Sequence, residues 1–288
     1  MAIRTAVIPA AGMGTRFLPA TKAVPKELMP IFDTPAIQLV MDEAIGAGAT
    51  RIVIVTSPNK PAIEQYVRPS ADVVKRVRDT GRTELAARLE RIGRDVEVVF
   101  ALQNEPRGLG HAVSCARKQV GDEPFMLLLP DELMGGPALL SQMVAMCGRD
   151  DKSVVGLKQV PKSEVASYGV VTTTSAPSAT GEVTVTGVVE KPKPEESPSD
   201  LILIGRYVLV PEMFGLLAGL APASSGEIQL TDALLLAAHE RKVLGVVSDI
   251  DRYDTGTPLG WLKAVIEFAR QREDVAPALD AWLLSLLK

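Results

Sequence analysis

Short runs that are apolar at nearly every position, spaced by segments with a helical period, constrain this chain more than any other feature. Residues 5–9, 51–56, 96–102 and 125–130 are such runs. A strand with one wet face alternates apolar and polar side chains, whereas one that is apolar throughout has both faces covered, as in a parallel sheet between helices. Between the first two runs, Thr34 is placed to cap a helix with Pro35 at its first position. Ile37, Val40, Met41, Ala44 and Ile45 then fall on one face, and Gly46 and Gly48 end it. Segment 70–94 is rich in charge, with Val73, Val74 and Val77 before Gly81 and Leu85, Leu89 and Ile92 after it, which predicts a solvated helical pair.

Past residue 152 the pattern turns β-rich, over 153–160, 168–174, 183–189 and 202–210. The connections are too short for helical crossovers, so at least some of these strands pair antiparallel. Pro192, Pro194 and Pro198 mark an exposed loop. Helices over 227–242 and 258–272 flank a strand at 243–248, and an amphipathic helix over 277–287 carries Leu279, Trp282, Leu283 and Leu286. No internal repeat or strong break divides the chain, so residues 1–288 read as one α/β domain with a β-rich second half and a helical tail.

Composition narrows what such a fold can bind. The 288 residues are 47% apolar and 23% charged, which excludes disorder as the main state. Aromatic residues make up only 4%, too few for a base-stacking platform for single-stranded nucleic acid. A net charge of −4 gives no global attraction for nucleic acid or an acidic membrane. No apolar run approaches the roughly 20 residues of a membrane helix, and Pro9 and Gly12 interrupt the apolar start before a signal-peptide core is complete. Cys115 and Cys147 lack metal-site spacing, which suits a reducing, cytoplasmic compartment. The charge is uneven: the first 30 residues carry a net +3 through Arg4, Arg16, Lys22 and Lys26 against Glu27, leaving −7 for the rest. A small anion bound near the start of the chain follows.

Directly after the first run comes Ala10-Ala11-Gly12-Met13-Gly14-Thr15-Arg16, where an open α/β sheet offers its carboxyl ends to a ligand. Glycines there let a phosphate or base approach the backbone and leave N–H groups pointing at it. The turn matches neither a dinucleotide fingerprint, since Phe17 stands where the third glycine belongs, nor a P-loop, since no Gly-Lys-Ser/Thr follows. It continues through three cations, Arg16, Lys22 and Lys26, on a segment stiffened by Pro19, Pro25 and Pro30, which lowers the entropy lost when they converge on one ligand. A triphosphate fits that charge.

The run from Gly12 to Glu27 resembles the signature of the sugar-1-phosphate nucleotidylyltransferases, and the rest of the chain is most similar to their bacterial UTP–glucose-1-phosphate uridylyltransferase branch. The likeness extends over nearly the whole chain. It includes Gln103 with Gly108-Leu109-Gly110-His111-Ala112-Val113, Leu129-Pro130-Asp131, Tyr168-Gly169-Val170-Val171, Val188-Val189-Glu190-Lys191-Pro192, Gly205-Arg206-Tyr207-Val208-Leu209 and Glu227-Ile228-Gln229-Leu230-Thr231-Asp232.

The resemblance implies a Rossmann-like mixed, mostly parallel sheet flanked by helices. Residues 1–152 would bind nucleotide, 153–257 sugar, and 258–288 form C-terminal helices available for a homodimer or homotetramer contact. The implied reaction joins UTP and glucose-1-phosphate into UDP-glucose and pyrophosphate by direct displacement at the α-phosphorus, which needs alignment and charge neutralisation rather than a nucleophilic side chain. By the same resemblance, Arg16 holds the β- and γ-phosphates and Lys26 neutralises the α-phosphoryl oxygens. Ala11, Gly12, Gly14 and Thr15 supply contacts to the nucleotide, Gln103 reads the uracil edge, and Gly108 lets the backbone come close.

Asp131, at the end of a run, is suited to Mg²⁺, which takes one or two carboxylates and completes its shell with phosphate and water. Asp254, in Asp254-Thr255-Gly256, is the second ligand by likeness, although an Asp before Thr-Gly is also a common turn former. Glu132 is set aside as a bystander. Glu190 accepts from sugar hydroxyls, Lys191 pairs with the sugar phosphate, and Gly169 closes the pocket. Adjacent strand residues face opposite ways, so Glu190 and Lys191 serve one ligand only if the strand ends or twists there. His111 reads as a packing or hydrogen-bonding residue at a helix start and His239 as surface. The alternatives are a thymidylyltransferase with the same chemistry, suggested by Asp254-Thr-Gly, and a catalytically weak regulatory homologue that binds sugar nucleotide.

Overall fold

The computed structural model describes residues 2–223 and 226–286. Its strands are β1 (Thr5–Pro9), β2 (Pro30–Ile31), β3 (Thr34–Pro35), β4 (Arg51–Thr56), β5 (Glu97–Leu102), β6 (Phe125–Leu128), β7 (Glu132–Met134), β8 (Ser153–Gln159), β9 (Gly169–Thr173), β10 (Glu182–Glu190), β11 (Leu201–Leu209), β12 (Val243–Val247) and β13 (Arg252–Asp254). The helices of the first half are α1 (Ala36–Gly46), α2 (Pro61–Val67), α3 (Ala71–Asp79), α4 (Thr83–Arg91), α5 (Leu109–Cys115), α6 (Arg117–Val120) and α7 (Ala138–Asp150). The second half adds α8 (Glu212–Gly219), α9 (Leu230–His239), α10 (Pro258–Arg270) and α11 (Ala276–Ser285).

Nine strands form one sheet in the order β5-β4-β1-β6-β11-β8-β12-β10-β9. The four runs of the first half pair parallel, as their unbroken apolar character requires. Successive residues go to opposite faces. Ala6, Ile8, Ile52, Ile54 and Met126 pack on one side, under α1 and α7, while Val7, Val53, Val55, Phe125 and Leu127 pack on the other, under α5, α8 and α9. The β-rich half enters the same sheet through β11, antiparallel to both β6 and β8, and β12 returns parallel to β8. The mixed sheet flanked by helices is the expected fold class, but it is not mostly parallel, because β11 enters antiparallel to both its neighbours and β10 pairs antiparallel to both β12 and β9.

Two local expectations change. Thr34 does not cap α1, because Thr34 and Pro35 pair with Pro30 and Ile31 in a two-strand ribbon and the helix starts at Ala36. The helix expected over 227–242 starts only at Leu230, since Ile228 is held extended by bonds to the Arg107 carbonyl (2.8 Å) and from the Gly110 amide (2.9 Å). Trp282 and Leu286 of the last helix are exposed at 56% and 62%, and α11 has no buried residue. The final residue of that expected helix, Leu287, lies outside the described residues.

The ribbon β7–β13 is absent from the sequence expectation and matters most for function. It pairs Glu132 with Asp254, bringing two distant segments together beside the carboxyl end of β6. The charged pair α3–α4 forms as expected and is solvated, with Val74 and Ala86 its only fully buried residues. No helix among the described residues is long and apolar enough to cross a membrane.

Candidate active site

Two clefts open along the carboxyl ends of the central strands and share Asp131. The first, about 430 Å³, is lined by Ala11, Gly12, Gly14, Thr15, Lys26, Gln103, Gly108 and Asp131. The second, about 250 Å³, is lined by Arg16, Asp131, Gly169, Glu190, Lys191 and Asp254. Every residue expected to contact nucleotide, sugar or metal lines one or the other. Lys22 is the exception among the expected cations: it is exposed and belongs to neither.

The floor of the first cleft is the turn after β1. Gly14 adopts φ +63°, and a Cβ there would lie 3.2 Å from Thr21 Cγ2 and 3.3 Å from Lys26 Cβ. Only glycine suits both the left-handed backbone and the close approach of the helical turn that carries Lys26. Thr21 Oγ1 fastens the turn by donating to the Gly14 carbonyl at 2.8 Å. Beneath it, the ammonium of Lys60 donates to the Ala10 carbonyl (2.9 Å) and to both carboxylate oxygens of Glu27 (2.8 and 3.0 Å). Neither Lys60 nor Glu27 is flagged by sequence reasoning, although an acid alone among four cations is a signal of an internal partner. With Glu27 2% exposed, the pair holds the backbone on which Lys26 stands.

Lys26 Nζ donates to Asp131 Oδ2 at 2.6 Å. Burial works against the charge on both, yet their contact prevails: the Lys26 ammonium is held above its ordinary range and the Asp131 carboxyl below its own. Asp131 is fixed from the other side by Thr255, whose amide and hydroxyl donate to the Asp131 carbonyl at 2.7 and 3.0 Å. Asp254 accepts from the Gly256 amide (2.9 Å) and from the Tyr168 hydroxyl (3.0 Å), so it forms the turn and still faces the cleft.

Glycine 256 shows how tightly these groups converge. A Cβ there would lie 3.0 Å from Asp254 Oδ1, 3.2 Å from Asp131 Oδ2 and 3.7 Å from Arg16 Nη1. Two carboxylates aimed at one point, with room left by a missing side chain, fit a divalent cation that completes its shell from ligand oxygens and water. No group of three or more His, Cys, Asp or Glu side chains suited to a metal occurs among the described residues, so this pair needs such outside oxygens.

Glu132 is not a bystander. It is buried and accepts from Arg252 Nε (2.7 Å) and Nη2 (2.6 Å), and burial pushes its carboxyl up to about 8. The bond ties β7 to β13 and thereby sets the distance between Asp131 and Asp254. Gly205 makes room for it: at φ +71°, a Cβ there would sit 2.7 Å from Glu132 Cγ. Next in sequence, Arg206 is fully buried and donates to the Leu129 and Glu132 carbonyls (3.2 and 2.6 Å) on either side of Asp131, while Glu43 receives its Nε and Nη2 at 2.8 and 2.6 Å.

In the second cleft, β10 ends at Glu190 and Lys191 turns to φ +46°, its amide donating to the Tyr168 carbonyl at 3.0 Å. That turn puts two side chains that a regular strand would splay into one cleft, with Nζ and Oε1 3.1 Å apart. Gly169 forms the wall, where a Cβ would lie 2.8 Å from Leu203 Cδ1. Tyr207 and Thr231, which also line this cleft, are additions to the expected set. The Thr231 hydroxyl is buried with no partner among the described residues, and burial raises the Tyr207 phenol above its usual range. Arg16 lies on this side of Asp131, its Nη1 3.4 Å from the Gly256 carbonyl.

The family profile described as nucleotidyl transferase matches residues 5–271. The chain belongs to the nucleotidyl transferase family. It is 39% identical over 286 residues to the UTP–glucose-1-phosphate uridylyltransferase of Bacillus subtilis (strain 168), covering 99% of this chain and 97% of that protein. Among solved structures it is similar to the UTP-bound UGPase of Acinetobacter baumannii, with a TM-score of 0.91, 34% identity and 99% coverage of both chains. It is also similar to a UDP-glucose pyrophosphorylase complexed with UDP-glucose, with a TM-score of 0.86 and 34% identity over 94% of this chain and all of that one.

Proposed function

We propose that this protein transfers the uridylyl group of UTP to glucose-1-phosphate, giving UDP-glucose and pyrophosphate. The observation that carries the reading is Asp131, shared by two clefts of which one is lined by backbone and an amide and the other by a Glu-Lys pair. The likeness to a uridylyltransferase over 99% of the chain supports the choice of substrates.

In this reading residues 1–152 hold the nucleotide and 153–257 the sugar. Gln103 faces the uracil edge, and the turn at Ala11, Gly12, Gly14 and Thr15 offers N–H groups to the phosphates. Glu190 accepts from sugar hydroxyls, with the Gly169 backbone beside it. Lys191 aligns the phosphate of glucose-1-phosphate, one of whose oxygens bonds to the α-phosphorus as the bond to the β-phosphate oxygen breaks and its electron pair leaves with pyrophosphate. Lys26 neutralises the α-phosphoryl oxygens, and Arg16 accompanies the departing pyrophosphate. Asp131 and Asp254 would hold Mg²⁺, which when bound neutralises phosphate oxygens. No side-chain base is needed, because a sugar phosphate is already ionised.

Free Cys115 and Cys147 suit a cytoplasmic setting, and exposed Trp282 and Leu284 suit contact with a second copy in a homodimer or homotetramer. The decisive experiment is pyrophosphate release across a matrix of nucleoside triphosphates and sugar-1-phosphates with Mg²⁺. UTP with glucose-1-phosphate should turn over fastest, and a clear preference for dTTP would overturn the uridylyl assignment.

A further inference from the structure

Gln103 follows β5 at the edge of the nucleotide cleft and is 5% exposed. Its Nε2 donates to the Gly108 carbonyl at 3.1 Å and lies 3.0 Å from His111 Nδ1. An amide nitrogen only donates, so Nδ1 accepts and the imidazole proton sits on Nε2. That nitrogen faces Cys115 Sγ at 3.8 Å, one helical turn along α5, a contact compatible with this tautomer. Both N–H bonds of the amide are thereby committed inside the protein, while Oε1 has no protein partner among the described residues. His111 itself lines neither cleft, so any effect it has on a ligand passes through Gln103.

We propose that His111 is a positioning residue that selects the pyrimidine by fixing which end of the Gln103 amide meets the base. With both donors held back, the amide presents an acceptor. Uracil offers a matching donor at N3–H. Cytosine carries a lone pair at N3, so acceptor would face acceptor and the buried oxygen would go unpaired. Gly108 supplies one anchor through a carbonyl that also accepts from the Ala112 amide at 3.1 Å; His111 supplies the other, and without it the amide can turn its nitrogen to the base. The inference rests on Gln103 facing the base, as proposed above.

The test compares kcat/KM for UTP and CTP in the wild type, Gln103→Ala, His111→Leu and His111→Asn. The Asn variant returns an acceptor oxygen near the place of Nδ1. His111→Leu should lower the UTP-to-CTP ratio about three- to tenfold, the worth of one neutral hydrogen bond, while His111→Asn stays within about twofold of wild type. A merely structural role would depress both nucleotides together and leave the ratio alone. If Gln103→Ala collapses the ratio and His111→Leu does not move it, the inference is overturned and the role of Gln103 stands. If Gln103→Ala leaves the ratio unchanged, both fall. Should His111→Leu fail to fold, His111→Ala, a good helix former at a half-buried position, reads the same ratio.

Discussion

Replacing Glu43 with Ala would leave the guanidinium of Arg206 buried without its counter-charge. Arg206 is 0% and Glu43 6% exposed, and two bonds of 2.8 and 2.6 Å join them. Removing one partner of a buried pair costs roughly 3–5 kcal/mol, because the remaining charge has neither water nor a counter-ion. Against a total stability of about 5–15 kcal/mol for a folded chain, that is a large fraction. The loss should appear as a lower midpoint in urea unfolding followed by circular dichroism, at unchanged slope.

Glu43→Gln, which keeps the shape and some of the bonding, should cost less than Glu43→Ala. Pyrophosphate release should fall as well in Glu43→Ala, since Arg206 holds the carbonyls flanking Asp131. A shift below about 1 kcal/mol would refute the reasoning, for it would mean that water reaches Arg206 in solution.

Lys26→Met, assayed by single-turnover formation of UDP-glucose, should lose on the order of 10²–10³ in rate, the usual cost of one preorganised donor. Chelating divalent metal should stop turnover and re-adding Mg²⁺ restore it, whereas undiminished release in chelator would remove Asp131 and Asp254 from their proposed role. Gly205→Ala combines φ +71° with a 2.7 Å approach to Glu132 Cγ and should lower stability by at least about 2 kcal/mol in the same urea experiment. Asp33 bonds Arg88 and Arg272, and these contacts, Arg88 foremost, lower its carboxyl from 3.8 to about 2. A lowered carboxyl contributes stability that is present above pH 3.8 and lost as the pH falls through 2, so wild type and Asp33→Asn should differ in melting temperature at pH 5 and converge toward pH 2.

The central strands were legible because burial on both faces removes alternation, and the α3–α4 pair because its sparse apolar residues keep a helical period. Helix α7 also carries a legible stripe, Leu139, Leu140, Met143, Met146 and Cys147, that the sequence reading passed over. Short α5 and α8 offer too few turns for a period to register. Thr34 misled for a physical reason: as a cap it competes with pairing to Ile31, and the ribbon won. At the site, the residues lining the two clefts were legible because a glycine-rich turn, a run of cations and an acid at the end of an apolar run are local features of the sequence. Their supports were not, since Lys60 and Glu27, Arg206 and Glu43, and Arg252 and Glu132 are each joined across 33 to 163 positions of sequence.

The sequence by itself determined the sheet, the glycine turn and the inventory of charged groups, because apolar periodicity and backbone freedom are local properties. The tertiary structure decided what each charge faces. It turned Glu132 from a bystander into a tie between the segments that carry Asp131 and Asp254, set Lys26 against Asp131, and put Glu190 and Lys191 in one cleft through the left-handed turn at Lys191. Electrostatic partners depend on distance and burial, and both are created only when segments far apart in the chain close over a common core.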